Sequence, residues 1–207
     1  MGRILAAAII AAGFATVPPG GAYGSSTRYV QKNLVSNDTS LFPAAHEDTT
    51  LLNPWGITFF PGGPFWINDN NAGISALYNG DGTGTGGADP AWWVDVPPPR
   101  GGTSPSAPTG IVANSSSSFK LNINSSPSLF IFATEDGTIS AWNGAIGIFG
   151  TAELEVDNSK KRCSNGATGA VYKGLATGVN TAGVFCTRPI SAALASTSLV
   201  AALNRPP

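Results

Sequence analysis

An internal repeat is the feature of this sequence that most restricts its fold. Residues 65–76 align without a gap to residues 130–141, and in both stretches an apolar segment leads through a polar turn into Ile-Ser-Ala. Upstream, Pro54-Trp55-Gly56-Ile57 corresponds to Pro108-Thr109-Gly110-Ile111, so each unit begins with a short segment that contains a glycine, here called its opening. A third opening is Lys173-Gly174-Leu175-Ala176. A unit of a few short strands cannot bury its own two faces, so such units must stack on each other. The repeat therefore predicts a radial array of small sheets, such as a β-propeller.

The sequence around the repeat has the pattern of an all-β protein. From Tyr29 onward, short apolar runs alternate with turn residues, and no window holds a sustained apolar stripe with helical periodicity. Asn-Gly and Asp-Gly steps, which adopt positive φ at low cost, lie between several of the runs. The predicted strands are residues 56–60, 65–67, 74–78, 92–96, 119–123, 129–133, 138–142, 152–156 and 170–176.

The two copies of the repeat lie 65 residues apart, which is more than the roughly 40–50 residues of a compact propeller blade. An inserted loop accounts for the difference. Residues 97–106 and 115–118 are the candidates, because they are rich in Pro, Gly and Ser and are poorly suited to pairing in a sheet.

Charge and composition exclude several classes of protein. Eleven Lys and Arg residues are balanced by 12 Asp and Glu residues, and the net charge is −1. Because binding to a phosphate backbone requires a basic patch, no nucleic-acid partner is expected. Charged residues make up 11% of the chain, against the usual proportion of about a quarter. Coiled coils and long-helix bundles are therefore disfavoured as well.

The first 24 residues have the pattern of a secretory signal peptide. One positive charge at Arg3 precedes an uninterrupted run of apolar and small residues from 4 to 17, and Pro18-Pro19-Gly20-Gly21 ends it. The run is shorter than the about 20 residues that cross a bilayer, so contact with a membrane is expected only through an uncleaved signal segment. We expect the mature protein to be secreted, periplasmic or extracellular.

Two cysteines and one histidine limit the possible metal and disulfide chemistry. One disulfide, between Cys163 and Cys186, is an open alternative, although neither cysteine recurs at the spacing of a disulfide framework. One histidine and two cysteines without a paired spacing exclude a zinc site. His46, the only histidine, has no nucleophile elbow near it and is interpreted as a solvated loop residue.

Candidate ligand-facing residues lie in the turns of the repeat: Asp69, Asn70, Asn71, Glu135 and Asp136. The oxygen ligands of residues 69–71 and 79–81 suit Ca²⁺, but turn formation explains the same residues, so no cofactor is expected and Ca²⁺ is the alternative. Glu135 and Asp136 are interpreted as a solvated hairpin tip, with an acid/base pair as the alternative.

The glycine-rich and tryptophan-rich segments also have ordinary structural interpretations. Residues 80–87 lack the Lys-Ser/Thr of a phosphate-binding loop and are interpreted as a hairpin loop. Trp55, Trp92 and Trp93 are expected in the core between blades, and the alternative is a surface on which a sugar or peptide stacks.

Several longer strings of the chain are distinctive. They are YVQKNLVS (29–36), LNPWGI (52–57), FWINDN (65–70), LYNG (77–80), FIFATEDGTI (130–139), VDNS (156–159) and GAVYKGLA (169–176). Together they resemble an uncharacterised family of exported bacterial proteins with NHL-like β-propeller repeats, over about residues 29–183. The resemblance implies export and a propeller of which residues 25–184 form about three blades of a larger ring, and it supplies no catalytic residues.

The chain departs from this family near Val184. A change of reading frame at Phe185 restores the family's type of strand, Leu-Tyr-Ala-Ala-Asn-Phe, followed four residues later by Ile-Asp-Val-Phe. Residues 185–207 are therefore predicted to be an out-of-frame or disordered tail, and the alternative is a C-terminal helix over residues 189–203. An incomplete ring leaves open sheet edges and an apolar face, so aggregation is expected.

These observations favour an exported propeller that binds an unknown protein, glycan or small-molecule ligand through its loops and is not an enzyme. The alternative is a divalent-cation-dependent hydrolase or lactonase-like propeller enzyme.

Overall fold

A computed structural model describes residues 29–87, 91–103, 105–162, 168–180, 183–187 and 200–201. Over these residues the regular structure is β-strand, apart from one 3-10 turn at Thr85–Gly87. The predicted all-β class is confirmed. No helix in this part of the chain is long and apolar enough to cross a membrane. The chain divides into two compact units, Met1–Gln31 and Lys32–Pro207, and every described strand lies in the second unit.

Two antiparallel sheets of four strands each, here called sheet one and sheet two, form the main body of the second unit. Each sheet follows the chain strand by strand, so neighbouring strands are joined by hairpin connections. Sheet one consists of β3 (Pro54–Phe59), β4 (Phe65–Asp69), β5 (Ile74–Tyr78) and β6 (Trp92–Asp95), and sheet two of β7 (Pro108–Ala113), β8 (Phe130–Thr134), β9 (Thr138–Trp142) and β10 (Glu153–Asp157).

The remaining strands are short. A parallel pair, β1 (Val35–Ser36) and β2 (His46–Glu47), precedes sheet one, so His46 lies in a strand rather than in the predicted loop. A three-stranded antiparallel sheet follows sheet two and consists of β11 (Ala176–Asn180), β12 (Gly183–Thr187) and β13 (Val200–Ala201). Apart from residues 185–187 and 200–201, the predicted tail lies outside the described residues, as do the predicted signal peptide and Cys163.

The sequence repeat is a repeat of strands, but its gapless alignment is wrong across the turn. Residues 65–69 and 130–134 form equivalent strands, β4 and β8. Asn68 then pairs with Ser75, whereas Ala133 pairs with Ile139, so the second connection is one residue shorter. A shift of one residue exchanges the two faces of a strand. The two identical Ile-Ser-Ala strings therefore present their side chains to opposite faces.

Two of the predicted strands, residues 119–123 and 170–176, do not form. Lys120 makes only an isolated bridge to Pro127, Phe119 has φ +57°, and β11 begins at Ala176. Phe119 and Tyr172 are instead buried on the face of sheet two that points away from sheet one. An apolar run does not distinguish a strand from a loop that buries the same side chains.

Aromatic side chains fill the space between sheet one and sheet two. Trp66 stacks on Phe130, with ring centroids 4.0 Å apart and an interplanar angle of 23°. Trp142 lies 4.9 Å from Trp66 and joins the same cluster. The prediction that Trp55 and Trp92 lie in the core is wrong, because their exposed fractions are 43% and 40%.

The first strands of the two sheets, β3 and β7, approach each other at a glycine. A Cβ atom on Gly56 would overlap the carbonyl oxygen of Thr109 and lie 3.0 Å from the amide nitrogen of Ile111. Gly110 lies in the same way against Leu175, whose Cβ would be 2.7 Å from an added Cβ. The three Gly-containing openings of the repeat are therefore packed backbone against backbone, and only glycine leaves room for this contact.

We predict that Gly110→Ala lowers the free energy of unfolding by about 2–3 kcal/mol, because the new methyl group meets rigid backbone. Gly144→Ala is the matched control, since no described atom lies within 4 Å of its added Cβ. Urea denaturation of both variants measures the difference. Equal stability of the two variants would contradict this account of the contact.

Candidate functional site

Four side chains from separate parts of the chain meet at one edge of the two sheets, and we call them the hub cluster: Trp55, Asn70, Glu135 and Lys173. Asn70 Nδ2 donates a hydrogen bond to Glu135 Oε2 at 3.0 Å. Lys173 Nζ forms an ion pair with Glu135 Oε1. The same Nζ lies over the Trp55 ring, 4.9 Å from its centroid. These contacts link residues up to 118 positions apart in sequence.

The repeat explains why these residues meet. Asn70 is the first residue after β4 and Glu135 is the first residue after β8, so they occupy equivalent turns of the two sheets. Trp55 and Lys173 each precede the glycine of an opening, on β3 and ahead of β11 respectively. Because the openings pack side by side, positions that are equivalent in sequence come close in space.

The members of the hub cluster differ in burial. Asn70 is buried, and its amide also donates to the carbonyl oxygen of Pro108 at 3.2 Å and accepts from Asn53 Nδ2 at 3.2 Å. The side chains of Lys173 and Glu135 remain 35% and 28% exposed. Asn70 is therefore a positioning residue that orients Glu135, whereas Trp55, Glu135 and Lys173 are partly exposed to solvent.

The structure separates the other predicted ligand-facing residues from this cluster. Asn71 is exposed, and its backbone amide donates to the carbonyl oxygen of Leu52. Asp136 Oδ2 accepts a hydrogen bond from the Ala107 amide at 2.7 Å, which holds the segment before β7. Asp69 is fully buried. It was not predicted from the sequence that Trp55 and Lys173 lie together. Both residues directly precede the glycine of an opening, and this equivalence could have indicated it.

Asp69 is an unusual buried carboxyl group. Neither of its side-chain oxygens has a hydrogen-bond partner among the described residues. Burial, and to a smaller extent the negative charge of Asp48, raises the pKa of Asp69 to about 8. The group is therefore mainly protonated at neutral pH, which avoids the cost of burying an unpaired charge.

Asp48 shows how hydrogen bonds change this balance. It is also buried, but its carboxylate accepts hydrogen bonds from the Tyr78 hydroxyl at 2.9 Å, the Ala91 amide at 3.1 Å and Thr50. Burial alone would raise the pKa of Asp48, but these bonds together hold it below its ordinary value. Asp48 therefore supplies a fixed negative charge near Asp69.

A second group of acids, which we call the β10 pair, consists of Glu153 and Glu155. Asn122 Nδ2 donates to Glu155 Oε2 at 2.8 Å, and the Ile123 amide donates to Glu153 Oε2 at 3.1 Å. Burial, with a further contribution from Glu153, raises the pKa of Glu155 to about 7. Beside the pair is an open pocket of about 610 Å³. It is lined by Asn122, Ile123, Ala145, Ile146, Thr151 and Glu153.

The candidate Ca²⁺ ligands are engaged in local turns. Asp81 Oδ1 accepts from the Thr83 amide at 3.0 Å and the Thr83 hydroxyl at 2.7 Å, and Asn79 Nδ2 donates to the same hydroxyl at 3.0 Å. Within the described ranges, no three His, Cys, Asp or Glu side chains are grouped so that they could hold a metal ion. Local hydrogen bonds to Thr83 therefore account for Asn79 and Asp81, and the Ca²⁺ alternative stays a prediction.

No protein-family model, no curated protein and no solved structure matches this chain. The resemblance to the NHL-like family therefore stays a prediction.

We predict that the free energy of unfolding falls as the pH rises from about 5 to about 8 and that Asp69→Asn removes much of this slope. The folded protein holds a proton on Asp69 up to its pKa of about 8, whereas the unfolded chain releases it near 3.8. One such proton contributes up to about 1.4 kcal/mol per pH unit. Urea denaturation across the pH range measures the slope.

Asp81→Asn is the control for this experiment. Asp81 is exposed, and the hydrogen bonds from Thr83 hold its pKa below the ordinary value. The control variant should therefore keep the wild-type slope above about pH 5. If Asp69→Asn also keeps the full slope, a protonated Asp69 is not its source.

Proposed function

We propose that this protein is an exported partial β-propeller of about three blades that acts as a binding scaffold, with the hub cluster as its ligand-binding site. The observation that carries the proposal is the chain of contacts from Asn70 through Glu135 and Lys173 to Trp55. These contacts bring together the exposed indole ring of Trp55 and the ammonium group of Lys173, which come from two openings, and the carboxylate of Glu135, which comes from a turn. Export is inferred from residues 1–24.

The packing of the sheets supports the propeller part of the proposal. Propeller blades are four-stranded antiparallel sheets that stack around an axis. Sheet one and sheet two have this strand order, and β3 packs against β7. Gly174 and Leu175 of the third opening pack against Gly110 of the second opening. The sheet of β11 to β13, which follows the third opening, would then be the third blade.

Equivalent positions on β3 and β7 support the view that the ring is partial. Ile111 on β7 is covered by sheet one and is 6% exposed. Ile57, its equivalent on β3, is 60% exposed, and Phe59 on the same face is 50% exposed. A complete ring would cover both strands alike. The exposed apolar face agrees with the expected tendency to aggregate.

The composition of the hub cluster supports binding over catalysis. An exposed indole ring offers a large apolar surface with a polar edge, and the two charged groups beside it can orient a polar ligand. Trp55 lies in β3, Glu135 directly follows β8, and the buried Asn70 holds Glu135, so these groups are positioned before a ligand arrives. A protein, a glycan or a small molecule fits these features, in agreement with the sequence-based expectation.

We predict that a ligand found with the purified full chain, on a glycan array or in a thermal-shift screen of small molecules, loses at least about tenfold in affinity in Trp55→Ala. Trp92→Ala is the matched control, because Trp92 is similarly exposed but lies outside the hub cluster. Titration calorimetry with the same ligand compares the variants. Unchanged binding by Trp55→Ala would place the ligand site elsewhere.

Hydrolysis is a second candidate function, and the β10 pair is the observation that favours it. Glu155, whose pKa is about 7, lies next to Glu153, which lines an open pocket, and an acid with such a pKa is suited to proton transfer near neutral pH. A divalent cation would be an added component of such a hydrolase.

If the β10 pair is catalytic, hydrolysis of lactones or aryl esters should depend on a group that titrates near pH 7. Glu155→Gln should then abolish this activity. Glu153→Gln should move the inflection to lower pH, because it removes the charge that helps to raise the pKa of Glu155. Initial rates with and without added Ca²⁺ measure both effects, and an absence of activity on the whole panel would reject this candidate.

A further inference from the structure

We infer that Trp55 and Glu135 form a binding site for an alkylammonium group, and that Lys173 fills this site in the chain without ligand. The ligand class of the hub cluster would then be a molecule that presents an ammonium group on an alkyl stem, such as a lysine side chain of a partner. The inference rests on the proposed function, because it names the ligand for that same site.

Two attractive groups act on the ammonium of Lys173 at once. Glu135 Oε1 supplies a full negative charge in direct contact with Nζ. The face of the Trp55 ring lies 4.9 Å from the same nitrogen, within the about 6 Å over which a cation is attracted to an indole face. A carboxylate combined with an aromatic face is the chemistry that recognises an ammonium group and distinguishes it from a neutral alkyl chain.

The two groups of the site are held independently of Lys173. Glu135 Oε2 is fixed by the Asn70 amide, and Asn70 is in turn fixed by Asn53 and by the carbonyl oxygen of Pro108. The backbone of Trp55 is held near the start of β3, between Pro54 and Ile57, which both pair with β4. The site should therefore keep its shape when the lysine side chain is removed.

The occupant differs from the site around it. Lys173 belongs to the segment before β11 rather than to a strand, and its side chain is 35% exposed. Because a tethered group competes at an effective concentration in the millimolar range, a free amine must overcome Lys173 in the wild-type chain. Lys173 thus acts as an internal competitor, and a partner that presents its lysine within a larger interface would displace it.

A purely structural ion pair makes a different prediction. Such a pair would only connect the β8–β9 turn to residue 173, and its partly exposed groups would contribute little to stability. Removal of Lys173 would then change stability little, and an added amine would not stabilise the variant in a saturable way. Rescue by an amine therefore distinguishes a binding site from a surface salt bridge.

The test is a titration of the full-length Lys173→Ala variant with n-butylammonium chloride, followed by thermal unfolding and tryptophan fluorescence. n-Butanol and sodium chloride at matched concentrations are the controls for apolar binding and ionic strength. We expect saturable stabilisation of the variant by n-butylammonium alone, with at least about tenfold weaker binding to the wild-type chain, where Lys173 competes. If the variant is largely unfolded, the same titration should recover its folded state.

Second substitutions locate the binding. Lys173→Ala combined with Glu135→Gln, or with Trp55→Ala, should lose the saturable response. The inference is overturned if n-butylammonium gives no saturable effect, if n-butanol acts equally, or if the wild-type chain binds as tightly as the variant. Any of these results, together with a screened ligand that still requires Trp55, would overturn the ammonium assignment and leave the proposed binding function in place.

Discussion

Gly56 and Gly110 allow the first strands of neighbouring sheets to pack backbone against backbone. Without side chains at these positions, β3, β7 and residues 174–175 lie directly against one another. The flanking residues are then carried to the same edge of the sheets, and Trp55, Glu135 and Lys173 meet there. A methyl group at either glycine would separate the openings and also the groups of the hub cluster.

Three consecutive polar residues, Asn68, Asp69 and Asn70, lie in different surroundings because of the geometry of a β-strand. Consecutive residues of a strand point to opposite sides, so neighbouring polar residues can have different surroundings. Asn68 points between the sheets, where its amide donates to the carbonyl oxygens of Gly110 at 3.1 Å and Thr109 at 3.4 Å. Asp69 lies buried without a partner among the described residues, while Asn70 reaches Glu135. One polar tripeptide thus contributes a link between sheets, a protonated acid and a positioning residue.

Charge is scarce in this protein, so the function of each charged group depends on its surroundings. Three carboxylic acids have three different environments. Asp48 is held ionised by hydrogen bonds, Asp69 is kept protonated by burial, and Glu135 is paired with Lys173. Only the last of these remains accessible from solvent. Of the three, Glu135 can therefore take part in binding a ligand. The protonation of the buried Asp69 instead makes the stability of the fold depend on pH.

Local patterns of apolar and turn residues predict the all-β class, the strands of sheet one and three of the four strands of sheet two. They indicate β7 only through the recurrence of a Gly-containing opening. The sequence also singled out Asn70 and Glu135, since both lie in polar turns of the repeat. The packing of distant segments makes residues 119–123 and 170–175 cover a sheet face as loops, buries Asp69, and puts Lys173 between Glu135 and Trp55. These outcomes depend on contacts between distant segments and on which face of each strand is covered, and a local pattern carries neither.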